Sequence, residues 1–166
     1  LECGMSTLEV KAIQAPSGYE LEMPSGHIVQ VVNATSVSET TISNASTGTS
    51  ATEWFSTTIT PKKSGNKLVC LLTGYCTYGT AATGESHCYI TYSGTGVSET
   101  IESFAIFGNE SASSRPKLPV AVHGLVTTTS TNAYTIKIRA NGRDNQAAAK
   151  NVQWGQGQLT VMEVQA

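Results

Sequence analysis

Between residues 27 and 164, short runs rich in Thr, Val, Ile and Tyr alternate apolar with polar positions and are separated by clusters of Gly, Ser and Asn. A period of two broken at short intervals predicts half-buried β-strands, and no stretch sustains a helical period. The run at 27–32 is almost continuously apolar, which predicts a strand buried on both faces. A weaker strand is expected at 40–42, followed by an exposed polar loop over 43–52 that tolerates variation. Residues 54–60 alternate with Phe55, Thr57 and Ile59 on one face, and Pro61 ends the run by removing a ladder donor.

Over 67–78, Leu68, Cys70, Leu72 and Cys76 share one face, with Val69, Leu71, Thr73 and Tyr75 on the other. Residues 79–84 are expected as a hairpin loop. The returning strand at 87–92 would place Cys88, Ile90 and Tyr92 opposite His87, Tyr89 and Thr91. Further strands are expected at 101–107, at 120–126 with a bulge or close approach at Gly124, and at 134–139, where the alternation is cleanest. Residues 108–119 form a polar connection. Asn141-Gly142 marks a turn, 146–150 one helical turn, and 151–154 and 159–164 the last two strands, joined by a tight turn at Gly155-Gln156-Gly157.

Eight to ten such strands predict an all-β chain, an antiparallel β-sandwich of jelly-roll type with a short extended N-terminal arm. The arm covers residues 1–23, with a short strand at 8–13, and the sandwich covers 24–166. Residues 1–4 precede a Met5-Ser6-Thr7 start and read as a non-native extension. At 166 residues the chain suffices for one core without metal or disulfide.

Charged residues make up only 13% of the chain, so Ser, Thr, Asn, Gln and Gly must supply its polar surface. A net charge of −2 offers no basic face for nucleic acid. No apolar run reaches bilayer length and no secretion signal is visible, so synthesis in a cytoplasm without membrane insertion is the expectation. Cys70, Cys76 and Cys88 fall in apolar β-rich sequence, where a free thiol acts as a small buried hydrophobe; a Cys76–Cys88 bridge is the alternative.

Candidate chemistry is sparse. Asp144 is the only Asp, and Glu99 and Glu102 form a close carboxylate pair better explained as solvated edge charges than as a glycosidase dyad. His27, His87 and His123 lack metal-ligand spacing, and His87 and Cys88 should point to opposite faces of a strand. No nucleophile elbow is present. No catalytic, cofactor or metal residues are therefore expected. Aromatic faces stack on sugar rings, so Trp54, Tyr78 and Tyr89 are the candidates for glycan or host contact.

Several stretches resemble, in order and spacing, small tail-fibre-like structural proteins of tailed bacteriophages, marine ones above all. They are Met5-Ser6-Thr7-Leu8-Glu9-Val10-Lys11-Ala12-Ile13, Met23-Pro24-Ser25-Gly26-His27-Ile28-Val29-Gln30-Val31-Val32, Thr58-Ile59-Thr60-Pro61-Lys62 with Lys67-Leu68-Val69, Tyr134-Thr135-Ile136-Lys137-Ile138-Arg139 and Leu159-Thr160-Val161-Met162-Glu163-Val164. The resemblance implies a non-enzymatic virion protein of tail-fibre or capsid-decoration type, a homotrimer with no cofactor. With only residues 1–23 ahead of the sandwich, and no long stalk, the arm would dock onto other virion proteins. Loops 43–52, 79–84 and 108–118 would meet the host surface. A carbohydrate-binding module using exposed aromatics is the alternative.

Overall fold

The computed structural model describes residues 24–78, 84–109, 117–143 and 148–166. The expected arm, most of the loop at 79–84, residues 110–116 of the polar connection and part of the expected helical turn lie outside them. Among the described residues nine strands are present: β1 (Ile28–Ser36), β2 (Thr40–Ile42), β3 (Thr52–Ile59), β4 (Lys67–Tyr78), β5 (Gly84–Gly94), β6 (Val97–Asn109), β7 (Leu118–Thr127), β8 (Tyr134–Ala140) and β9 (Val152–Val164). One 3-10 turn spans Gly48–Ser50.

Two antiparallel sheets pack as a sandwich. The first runs β1-β9-β4-β7, with β2 added beside β9, and the second runs β3-β8-β5-β6. The pairing is nested: β1 lies against β9, β3 against β8, β4 against β7 and β5 against β6. One long hairpin has been rolled up, and the β4–β9 and β5–β8 ladders close each sheet. This is a jelly roll.

Alternation builds the core where it was expected. Leu68, Cys70, Leu72, Cys76 and Tyr78 of β4 face Cys88 and Ile90 of β5 and Tyr134, Ile136 and Ile138 of β8 in one buried cluster. The described cysteines are free and buried. Burial pushes the Cys70 and Cys76 thiols up to about 12, and raises Cys88 as well.

Several local expectations are corrected. β1 is an edge strand, not one buried on both faces, and leaves Ile28 and Val31 exposed. β4 and β5 belong to different sheets and do not pair, so they are not the two arms of a hairpin. Residues 152–164 form one strand, not two. Opposite the Thr73–Tyr75 step of β4, β9 carries one extra residue, so Gly155-Gln156-Gly157 is a β-bulge with Gln156 at φ 50°. A Cβ on Gly157 would lie 2.5 Å from Phe55 Cε1, and one on Gly155 would lie 2.7 Å from the Tyr75 ring. The glycines are therefore required by packing rather than by chain reversal. Ala149 bridges Arg143 in antiparallel fashion, which leaves the described part of 146–150 non-helical.

A second bulge, between Glu53 and Phe55 of β3, turns both Trp54 and Phe55 inward. Trp54 then packs 5.6 Å from Trp154, ring centre to ring centre. The polar loop 43–52 is fastened rather than free. Arg139 Nη1 donates to the Ala51 carbonyl at 2.8 Å, Asn141 Nδ2 donates to Ser46 O at 3.1 Å, and Gly142 N donates to Asn44 O at 3.0 Å.

At the opposite end, Glu163 is fully buried on the inner face of β9. Its carboxyl accepts N–H donors from Gln30 Nε2 (2.6 Å), Asn66 Nδ2 (2.7 Å) and the backbone of Lys62 (2.8 Å) and Lys63 (3.4 Å). The β3–β4 turn is thus tied to the last strand through one side chain. Glu163→Ala strands those donors away from water and is expected to lower unfolding stability by about 2–4 kcal/mol. Urea denaturation checks this; an unchanged midpoint would show that the knot contributes nothing.

Candidate functional site

The three aromatics expected at the surface are buried: Trp54 is 7% exposed, Tyr78 0% and Tyr89 4%. Trp54 is turned inward by its bulge. Tyr78 shares the inward parity of β4 and donates its hydroxyl to the Phe107 carbonyl at 2.9 Å. Burial raises its phenol to about 12. Tyr89 points outward from the second sheet but is covered. Its hydroxyl lies 2.6 Å from His87 Nδ1, and the Phe104 ring lies 5.8 Å away. An exposed aromatic platform of these three does not exist.

The outer face of the second sheet instead carries a charged lattice beside the exposed Phe104 and Ile106 of β6. Arg139 Nη2 donates to Glu99 Oε2 at 2.8 Å, its Nε also meets Glu99, and Thr91 Oγ1 donates to Glu99 Oε1 at 2.7 Å. Lys137 Nζ stands 3.5 Å from both Glu99 and Glu53. The Arg139 guanidinium holds the Glu99 carboxyl down to about 2. Glu102 acts elsewhere. It accepts the Leu125 backbone N–H at 2.9 Å, joining edge strand β6 to edge strand β7. Gly124 makes room, since a Cβ there would lie 2.7 Å from Glu102 Cγ. Glu99 and Glu102 therefore do not converge.

Nor do the histidines. His27 and His123 are exposed on the first sheet, whereas His87 packs with Glu85 and Arg143 on the second. Burial, with the Arg143 guanidinium beside it, pushes the His87 imidazole down. Cys88 lies in the core on the other side of the strand, as its position beside His87 implied.

The first sheet presents a different outer face. Ladder partners align Val31, Met162, Val69 and Leu125 in one row across four strands; Asn33, Thr160, Leu71 and His123 in the next; and Thr35, Gln158, Thr73 and Ala121 in the third. No Asp, Glu, Lys or Arg occurs in these rows. Val31 is 48% exposed, Leu71 42% and Leu125 52%. A Val or Leu left half-exposed forgoes roughly half of the ~1.5–3 kcal/mol that full burial contributes. Within these rows the face runs from apolar to neutral polar, bounded by Lys67 at the apolar end and by the Glu39–Lys117 pair around Tyr75 at the other. At its polar end, the strand ends flanking 37–51, 79–83, 110–116 and 141–151 lie together. Single-residue reading missed these rows because they exist only once the register is set.

No protein family and no curated protein sequence matches the chain. Solved structures do. The VP2 subviral particle of infectious bursal disease virus aligns with a TM-score of 0.50 and 11% identity over 92% of this chain. That viral capsid protein shares this fold. The chain spans 37% of that VP2 chain. The C-terminal domain of EclA, a sugar-binding protein, aligns at a TM-score of 0.40 with 13% identity, covering 90% of this chain and 89% of that one. The CBM22-1 xylan-binding domain of Paenibacillus barcinonensis Xyn10C gives 0.37 and 12%, covering 87% and 99%. At such identities the likeness is one of fold.

The lattice around Glu99 carries a pH signature. Its folded pKa lies below the ordinary 4.5, so its stabilising contribution is full above that value and is lost as pH falls from about 4.5 through about 2. Wild type should therefore lose its stability margin over Glu99→Gln across that window. Urea midpoints measured from pH 6 to pH 2 test this, and two parallel profiles would refute it.

Proposed function

We propose that the chain is a non-enzymatic structural component of a virion, a projecting β-sandwich of bacteriophage tail-fibre or capsid-decoration type. In this reading it assembles as a homotrimer through the apolar end of the outer face of the first sheet, which leaves the polar end open, and docks onto other virion proteins through residues 1–23. The observation that carries it is the row Val31, Met162, Val69 and Leu125, an apolar stripe on a face whose three rows hold no Asp, Glu, Lys or Arg. Such a stripe is what an interface between identical copies needs, since it can be buried without stranding charge.

The polarity of the molecule supports the same reading. Gly26 N donates to Gln165 O at 2.8 Å, so Gly26 lies beside β9's last residues, at the end opposite the strand ends that flank 37–51, 79–83, 110–116 and 141–151. An arm leaving there would anchor one end while the loops face outward. The jelly roll shared with a viral capsid protein agrees with this role. A carbohydrate-binding module, or an adhesin for host-surface glycan, is the second reading. With Trp54, Tyr78 and Tyr89 buried, only the neutral polar end of the first sheet favours it.

Light scattering on the purified chain should return about three times 17.4 kDa. The double variant Val31→Lys, Leu125→Lys should reduce that mass while preserving the β-sheet circular dichroism. A monomeric wild type would overturn the assembly model, and a trimer indifferent to both lysines would move the interface off this face.

A further inference from the structure

We propose that the β9 bulge builds a binding site for a neutral glycan. This proposal deepens the carbohydrate reading and does not depend on the assembly reading. Among the described residues Gln156 is the only non-glycine at positive φ, 50°. A side-chain-bearing residue in that region is uncommon, and local strain of this kind persists only where the surroundings enforce it.

Here the surroundings are visible. On one side of the bulge, Gly157 is buried under Trp54 and Phe55, with its virtual Cβ 2.8 Å and 2.5 Å from their rings. On the other side, Tyr75 lies over Gly155 at 2.7 Å. The intervening residue cannot fall back into a regular ladder without displacing aromatic rings on both faces. Gln156 is consequently held out into solvent.

It is held over a depression. Thr35, Ser36, Val37, Gln156, Gly157 and Gln158 line an open cavity of about 330 Å³. The lining provides two primary amides, two hydroxyls and no charge. No other described residue's side chain or backbone engages the Gln156 or Gln158 amide, so both remain available to a ligand. A primary amide donates and accepts at once, as a sugar hydroxyl does, and can satisfy adjacent hydroxyl groups in pairs. The lining itself offers an anion no counter-charge, since the neighbouring cation, Lys117 over the Tyr75 ring, is paired with Glu39, and an apolar ligand would desolvate the amides without replacing their hydrogen bonds. Val37, 83% exposed at the rim, offers an isopropyl group for the C–H face of a pyranose ring.

The test is an NMR titration of ¹⁵N-labelled protein with neutral oligosaccharides built from glucose, galactose, mannose and N-acetylhexosamine, with sialylated and sulfated oligosaccharides as charged controls. At least one neutral oligosaccharide should bind at millimolar concentration and shift the amides of residues 35–37 and 156–158. Gln158→Ala should weaken binding by about fivefold, the loss of one hydrogen bond. Gln156→Gly relieves the backbone strain and should abolish binding while leaving the thermal midpoint no lower than wild type. Shifts confined to 43–51 would overturn this site while leaving the carbohydrate reading standing. An absence of neutral ligands, or a preference for the charged controls, would overturn both. Unchanged affinity in the two variants would remove the site from the bulge.

Discussion

The first sheet depends on its last strand. β9 hydrogen-bonds to β1 and β2 on one side and to β4 on the other, so the edge strand, the short strand and the β4–β7 pair are joined only through residues at the C-terminal end of the chain. Every feature of functional interest on that sheet inherits this arrangement. The apolar row needs Met162 between Val31 and Val69, the bulge needs β4 to hold Tyr75 over Gly155, and the Glu163 knot reaches from β9 to the turn before β4. Such long-range pairing also makes the topology costly in loop-closure entropy, which places it among slowly folding β architectures.

The two outer faces differ in how their charges are placed. On the second sheet, charges are paired among themselves, and Arg139 also satisfies the Ala51 carbonyl of the loop that folds over it. Around Arg139 that face is covered by its own chain, whereas Phe104 and Ile106 on the β6 edge stay exposed. On the first sheet, neutral polar and apolar residues meet solvent with no comparable cover among the described residues. The division of labour follows from where the covering loop lands, because a jelly roll alone would permit either face to be shielded.

Much of the fold was legible because inward parity and apolarity coincide in the central strands. β4 and β8 show this directly, each with its alternate positions buried. The failures have common physical causes. The apolar run at 27–32 reads alike whether it is covered or left at an edge, and only pairing tells the two apart. Gly-Gln-Gly reads as a turn because the same residues that permit a reversal also permit aromatic rings to approach the backbone. Strict alternation from Phe55 places Trp54 outward, but a bulge shifts parity by one, and nothing local to 52–59 announces it. Tyr78 shared the parity of Cys76, so its burial was available in principle. The exposed rows were not, since they join residues as distant as Val31 and Leu125 through register alone.

The reduced cysteines have a consequence of their own. Cys70, Cys76 and Cys88 sit in the interior as thiols whose ionisation is suppressed by burial, and no cross-link holds the described layers together. Attack on an oxidant or on a disulfide requires thiolate and access, and these groups have neither. The sandwich therefore owes nothing to redox potential: passage from a glutathione-rich medium into an aerated one would leave its covalent framework unaltered.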